Sequence, residues 1–146
     1  MTPVKQTVFR FPNGDCFRAC VATILDLPIE DVPNFADAAA NPVRRGIEWL
    51  RERGYTCLRI DWEGEPYRKQ QYIRAYSEQT LYCIVGGESA RSPREDGKKL
   101  YHAVVGYANG WGFELVHDPH PDNTFLKGDP DFVLWLFKTR DAASTH

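Results

Sequence analysis

The sequence predicts an α+β fold, with helices gathered in the N-terminal half and an antiparallel sheet in the C-terminal half. Three observations carry this. Apolar residues recur at helical spacing between positions 16 and 27. From position 100 onward, apolar and β-branched runs take over, broken by Asn, Gly and Pro. The two patterns do not alternate along the chain as a βαβ protein requires. A chain of 146 residues is the size of one compact domain, which buries roughly 70% of its unfolded surface without needing staples. The expected domain is 1–140, with 141–146 a frayed tail.

Residues 1–12 read as extended, anchored by Val4, Val8, Phe9 and Phe11. Asn13-Gly14 marks a turn and Asp15 is a good N-cap. From Cys16 to Leu27, Phe17, Cys20, Val21, Ile24 and Leu25 fall on one helical face, and the helix must stop before Pro28. A short turn, PIEDV, leads to Pro33. The second helix is expected over Pro42–Arg53, with Pro42 in its first turn, Ile47 and Leu50 inward, and Gly54 past its end. Tyr55–Trp62 and Thr80–Val85 read as strands. Residues 66–76 do not decide between a short helix and a loop. GGESARSPREDGKK, 86–99, reads as a long polar loop. LYHAVVGY and WGFELVHD flank Ala108-Asn109-Gly110 as a hairpin, and Phe132–Lys138 is the last strand.

Composition removes several functions. A net charge of −2 offers no electrostatic footprint for nucleic acid or an anionic membrane. No apolar run has signal-peptide or membrane-spanning length, so a cytoplasmic location is the expectation. Cys16, Cys20, Cys57 and Cys83 lack zinc-finger spacing and read as thiols rather than as a disulfide frame.

One thiol stands apart. Cys16 follows Asn-Gly-Asp at a helix start, where the backbone dipole and unpaired N–H groups favour a thiolate, and a neighbouring imidazolium would favour it more. His102 interrupts an otherwise apolar strand and therefore needs a polar partner. Asp118 ends the facing strand. A two-residue Asn109-Gly110 turn puts His102 opposite His117 and sends Asp118 to the other face. A three-residue Ala108-Asn109-Gly110 loop puts His102 opposite Val116 and Asp118 within side-chain reach. A Cys16–His102–Asp118 set thus requires the three-residue loop. Against it stand a packed core cysteine with a satisfied core histidine, and a metal site at His102, His117, Asp118 and His120. Cys20, Cys57 and Cys83, on apolar faces, read as structural.

Gln6, then DCFRAC opening a helix, then HAVV in a strand, then a strand ending in HDP, resembles the papain-like cysteine peptidases. The likeness is greatest to the C39-like branch, the bacteriocin-leader peptidases and their stand-alone relatives. Small bacterial and phage proteins of the form GDCFxACVAxxL…LPxxxVPNF look similar too. The resemblance spans roughly residues 6–120. It implies a papain-like fold, Cys16 as nucleophile, His102 as general base and acid, and Asp118 as the orienting carboxylate. The sixteen-residue step from His102 to Asp118 is similar to the family's. Two features depart from the family. The oxyanion glutamine usually lies about one turn before the cysteine, whereas Gln6 lies ten residues before it and position 10 is Arg10. Either FRFPNG is an insertion that bulges out, or another donor serves, with Asn13 the replacement. DCFRAC also lacks the Cys-Gly pair common after the nucleophile. With no transporter domain following, export-coupled leader cleavage is not expected.

The implied chemistry is acyl transfer through a thioester on Cys16, on a protein or peptide substrate, with no cofactor and no metal. The scissile bond is a peptide, an isopeptide or a side-chain amide. The rival expectation is a catalytically inactive papain-like protein that binds a protein partner, since fold does not fix function.

Overall fold

A computed structural model describes residues 1–10, 13–36, 41–61, 82–91, 97–108 and 113–138. It contains α1 (Cys16–Leu25), a 3₁₀ turn (Ile29–Asp31), α2 (Pro42–Glu52), β1 (Tyr55–Asp61), β2 (Tyr82–Glu88), β3 (Tyr101–Ala108), β4 (Phe113–His117) and β5 (Phe132–Lys138). The strands form one antiparallel sheet in the order β1-β5-β2-β3-β4. The chain is therefore α+β. The undecided stretch 66–76 and the tail 141–146 lie outside the described residues. Among the described residues no helix is long and apolar enough to cross a membrane.

Both helices cover one face of the sheet. Phe17, Cys20 and Val21 of α1 and Leu50 of α2 pack there with Ile84, Ala103, Val105, Leu134 and Leu136. The other face buries Cys83, Val85, Val104, Val133 and Trp135, with Phe125 and Leu126 from the β4–β5 connection packed against them. Helix α2 begins where its local signals put it. Asn41 Oδ1 accepts from the N–H groups of Val43 and Arg44, and Pro42 occupies the first turn. Gly46 faces α1, where an added Cβ would lie 2.3 Å from the Phe17 ring.

Helix α1 departs from expectation at both ends. It stops at Leu25 because Asp26 turns left-handed (φ 56°) and the Leu27 N–H closes back on Ala22 O at 3.0 Å. At its start, Asp15 occupies the N-cap position but its side chain caps nothing. The carboxylate faces backwards, accepting from Thr7 N (2.8 Å), Val8 N (2.9 Å) and Thr7 Oγ1 (2.6 Å).

Two corrections concern the sheet. β2 runs on through Gly86-Gly87-Glu88, the first residues of the expected polar loop. Glycine acts here as a space-maker rather than a breaker, since a Cβ at Gly86 would meet the Phe132 ring at 2.2 Å. The hairpin adopts neither expected register. Ala108 pairs with Phe113, Tyr107 with Glu114 and Gly106 with Leu115, and after a register shift Val105 pairs with His117. The connection is longer than two or three residues, and Val116 is the extra residue of a bulge.

Candidate active site

The site lies where β4 ends and β3 continues. The last pair is Val105–His117, so Tyr101–Val104 extend past the end of β4. On the opposite side His102 pairs with Gly87 of β2. Asp118 follows β4 directly, and the next residues turn across the end of β3. That turn, and not the three-residue loop on which the pairing was expected to depend, brings the two side chains together. His102 Nε2–H donates to Asp118 Oδ1 at 2.6 Å, with both side chains almost fully buried.

Asp118 is saturated. Oδ1 also accepts from His120 N–H (2.9 Å) and Oδ2 from Phe125 N–H (2.8 Å). Burial pushes its carboxyl up, but these three donors outweigh burial and hold it below the ordinary 3.8. Burial lowers His102 from the ordinary 6.5, opposed by the Asp118 carboxylate. Asp118 is thus an ionised acceptor and His102 a neutral imidazole protonated on Nε2, which leaves Nδ1 to take up or release a proton.

Cys16 is the first residue of α1. Its sulfur accepts from the backbone N–H of Ala103, the neighbour of His102, and from that of Phe17. Burial raises this thiol above its ordinary value; the two N–H groups and the charge of Arg91 lower it, and Asp15 raises it. With the thiol raised and the imidazole lowered, both groups rest neutral. This differs from the preformed thiolate that the helix start alone suggests. All four cysteines are free. Burial pushes Cys57 up to about 11 and Cys83 up to about 12, and raises Cys20 well above its ordinary value.

The two oxyanion residues proposed from sequence separate. Asp15 N–H donates to Val8 O at 3.1 Å, and the Asp15 carboxylate holds Thr7 and Val8. The chain therefore leaves the helix start at Val8 and is back there at Asp15, so Gln6 is close to α1 in space although ten residues away in sequence. Gln6 is buried, and its backbone N–H donates to Pro119 O at 2.9 Å. One Nε2 hydrogen goes to Val8 O (2.9 Å), and the buried Oε1 has no hydrogen-bond partner. Asn13 is not brought to the site; it is exposed, and its carbonyl accepts from Asn34 Nδ2 at 3.0 Å.

His117 does not join His102. Its Nε2 donates to Val4 O at 2.7 Å. Among the described residues no group of three or more His, Cys, Asp or Glu is placed to hold a metal ion.

Two features of the site escaped the sequence reading. Lys5 Nζ donates to Asp118 O (2.9 Å), His120 O (3.3 Å) and Asn123 Oδ1 (3.0 Å), fastening the turn that carries Asp118. Arg91 Nη1 holds Asp122 at 3.2 and 3.3 Å, tying the segment after β2 to the same turn. Nothing in the sequence marks Lys5 apart from its place beside Gln6. The run DPHPD, with a second His and Asp two apart, was the available signal for Asp122.

No family model matches this sequence, and a search of curated proteins finds no match.

Proposed function

We propose that the protein is a cysteine hydrolase of the papain-like, C39-like type, with Cys16 as nucleophile, His102 as general base and acid, and Asp118 as the orienting carboxylate. The observation that carries the reading is the buried 2.6 Å His102–Asp118 pair on the strand whose next residue, Ala103, donates to the Cys16 sulfur. A carboxylate on Nε2 fixes the tautomer and leaves Nδ1 for proton transfer, the division of labour that nucleophilic catalysis needs.

The chemistry starts from the neutral pair. The Cys16 sulfur attacks a carbonyl carbon as its proton passes to His102 Nδ1. The tetrahedral oxyanion forms beside the first turn of α1, whose N–H groups carry no side-chain cap. The remaining Gln6 Nε2 hydrogen is a further donor. The imidazolium, steadied by Asp118, protonates the leaving amine as the C–N bond breaks. Water then releases the acyl group from the thioester. The bond cleaved is a peptide, isopeptide or side-chain amide.

The test is alkylation by iodoacetamide, resolved by site, across pH, in wild type and His102→Ala. The expected result is Cys16 labelling that rises as pH passes the lowered His102 value, outpaces Cys57, and is lost in His102→Ala. Cys16 labelling no faster than Cys57, and indifferent to His102→Ala in a folded protein, overturns the assignment and favours the inactive binding protein.

A further inference from the structure

The stretch between Val8 and Asp15 leaves the helix start and returns to it. Asp15 N–H donates to Val8 O at 3.1 Å, and the Asp15 carboxylate accepts from Val8 N–H at 2.9 Å. Asp15 is buried, so the base of this excursion is fastened inside the protein. Phe9 is its first residue, and Cys16 follows its last tether. Through the Val8–Asp15 bond, the Cα atoms of Phe9 and Cys16 lie about 11 Å apart at most. The Phe9 ring meets the His120 ring edge-on, with centroids 5.1 Å apart and planes at 74°. The His120 ring in turn meets that of His102 at 6.5 Å and 80°. Phe9 is therefore tied by its backbone to the helix that carries the nucleophile, and by its ring to the imidazole that flanks the general base.

Half of this residue stays in water: Phe9 is 51% exposed. Lone exposed apolar residues are ordinary, and exposure alone would say nothing. Its position gives the exposed half a use. His102 hands its proton to the leaving amine, so the leaving group has to lie beside that imidazole. The rings of His120 and Phe9 continue from there. The His120 side chain is mostly covered and has Asp122 N–H at its Nδ1 (3.1 Å), which leaves Phe9 as the apolar part of the wall. An apolar side chain on the leaving group removes the exposed Phe9 surface from water, and a leaving group without one gains nothing there.

We propose that Phe9 is a specificity-determining residue that takes an apolar side chain on the leaving-group side of the scissile bond, on the residue directly after it; this rests on the cysteine-hydrolase reading above. The same surface serves the reverse step. An amine that attacks the Cys16 thioester occupies the place the leaving amine vacated. Its nitrogen bonds to the acyl carbon as the C–S bond breaks. Its proton passes to His102 Nδ1 and from there to the Cys16 sulfur, so the products are an amide and the free thiol. Phe9 therefore selects apolar amines as acceptors just as it selects apolar leaving groups.

The experiment forms the Cys16 acyl-enzyme from p-nitrophenyl acetate and lets water compete with phenylalaninamide or glycinamide. Chromatography measures acetate and the two N-acetyl amides, and each partition ratio is divided by that of a free acetyl thioester. The partition is read from one acyl-enzyme, so the rate of acylation does not enter it. Wild type is expected to prefer phenylalaninamide over glycinamide by roughly tenfold or more, the low end for one apolar contact in a site. Phe9→Ser is expected to remove the preference and Phe9→Leu to keep most of it, with circular dichroism establishing that both are folded. Equal use of the two amines by wild type, or a preference that survives Phe9→Ser, overturns the proposal while leaving the hydrolase reading intact. Nitrophenolate release by wild type no faster than by Cys16→Ala overturns both.

Discussion

His102 and His117 lie on adjacent strands, and both are buried, at 4% and 7% exposure. Their partners differ. His102 meets an ionised carboxylate that carries two further donors, whereas His117 meets the Val4 carbonyl. A carbonyl needs only a neutral donor, so His117 works as a clamp between β4 and the N-terminal segment. A carboxylate fixes a tautomer and stabilises the imidazolium when it forms, so His102 can exchange a proton and stay in place. Burial of a histidine therefore says little about its role, and the charge and hydrogen bonding of its partner say a great deal.

The largest effect expected from breaking this contrast comes from Asp118→Asn. The amide keeps the shape but invites the wrong imidazole tautomer, a change that in a serine-protease triad costs about 10⁴-fold in rate. The His102-dependent alkylation of Cys16 should fall towards the His102→Ala level. Asp118→Ala goes further, since it strands the His102, His120 and Phe125 donors. It should also cost on the order of 3 kcal/mol of stability in urea unfolding. Retention of wild-type labelling in a folded Asp118→Asn protein would make His102–Asp118 a structural pair like His117–Val4.

The complementary change is His117→Leu. It leaves Val4 O without its donor and should destabilise by about 1–3 kcal/mol, while His102-dependent labelling persists. The N-terminal segment has other anchors, at Thr23, Asp15 and Pro119, so Gln6 stays in place. Loss of labelling without loss of stability would show that the two histidines are not separable.

How much of this was legible in the sequence follows from whether a signal was local. Helix α2 was legible because Pro42 and Gly54 each act within a turn of themselves. Cys16, His102 and Asp118 were legible by type and place, as a thiol at a helix start, a polar residue in an apolar strand and an acid at a strand end. The register that joins the last two was not. It depends on a bulge at Val116 and on the turn after β4, and a misplaced register of one residue flips a face. The reach of Gln6 was hidden in the same way, because it depends on Asp15 turning back to Thr7 and Val8. Gly86 was misread because the reason for glycine there, the Phe132 ring, lies 46 positions further along the chain.

The smallest effect is the one acid has on stability, and His102 carries it. The folded fold holds His102 below 6.5 because burial disfavours the charge. Between the lowered value and 6.5 the unfolded chain therefore binds more protons than the folded one, and stability falls as pH falls through that window. Asp118, also lowered, adds a second loss of the same sign below pH 3.8. Urea unfolding between pH 7.5 and pH 5, a range set by the His102 value, should show stability declining with acid in wild type. The decline should be shallower in His102→Gln, which cannot take up the proton. An unchanged slope in His102→Gln would mean that the His102 imidazole is charged as readily in the fold as in the unfolded chain. The His102 ring would then be charged already just below pH 6.5, and catalysis in that range would start from an imidazolium rather than from the neutral ring.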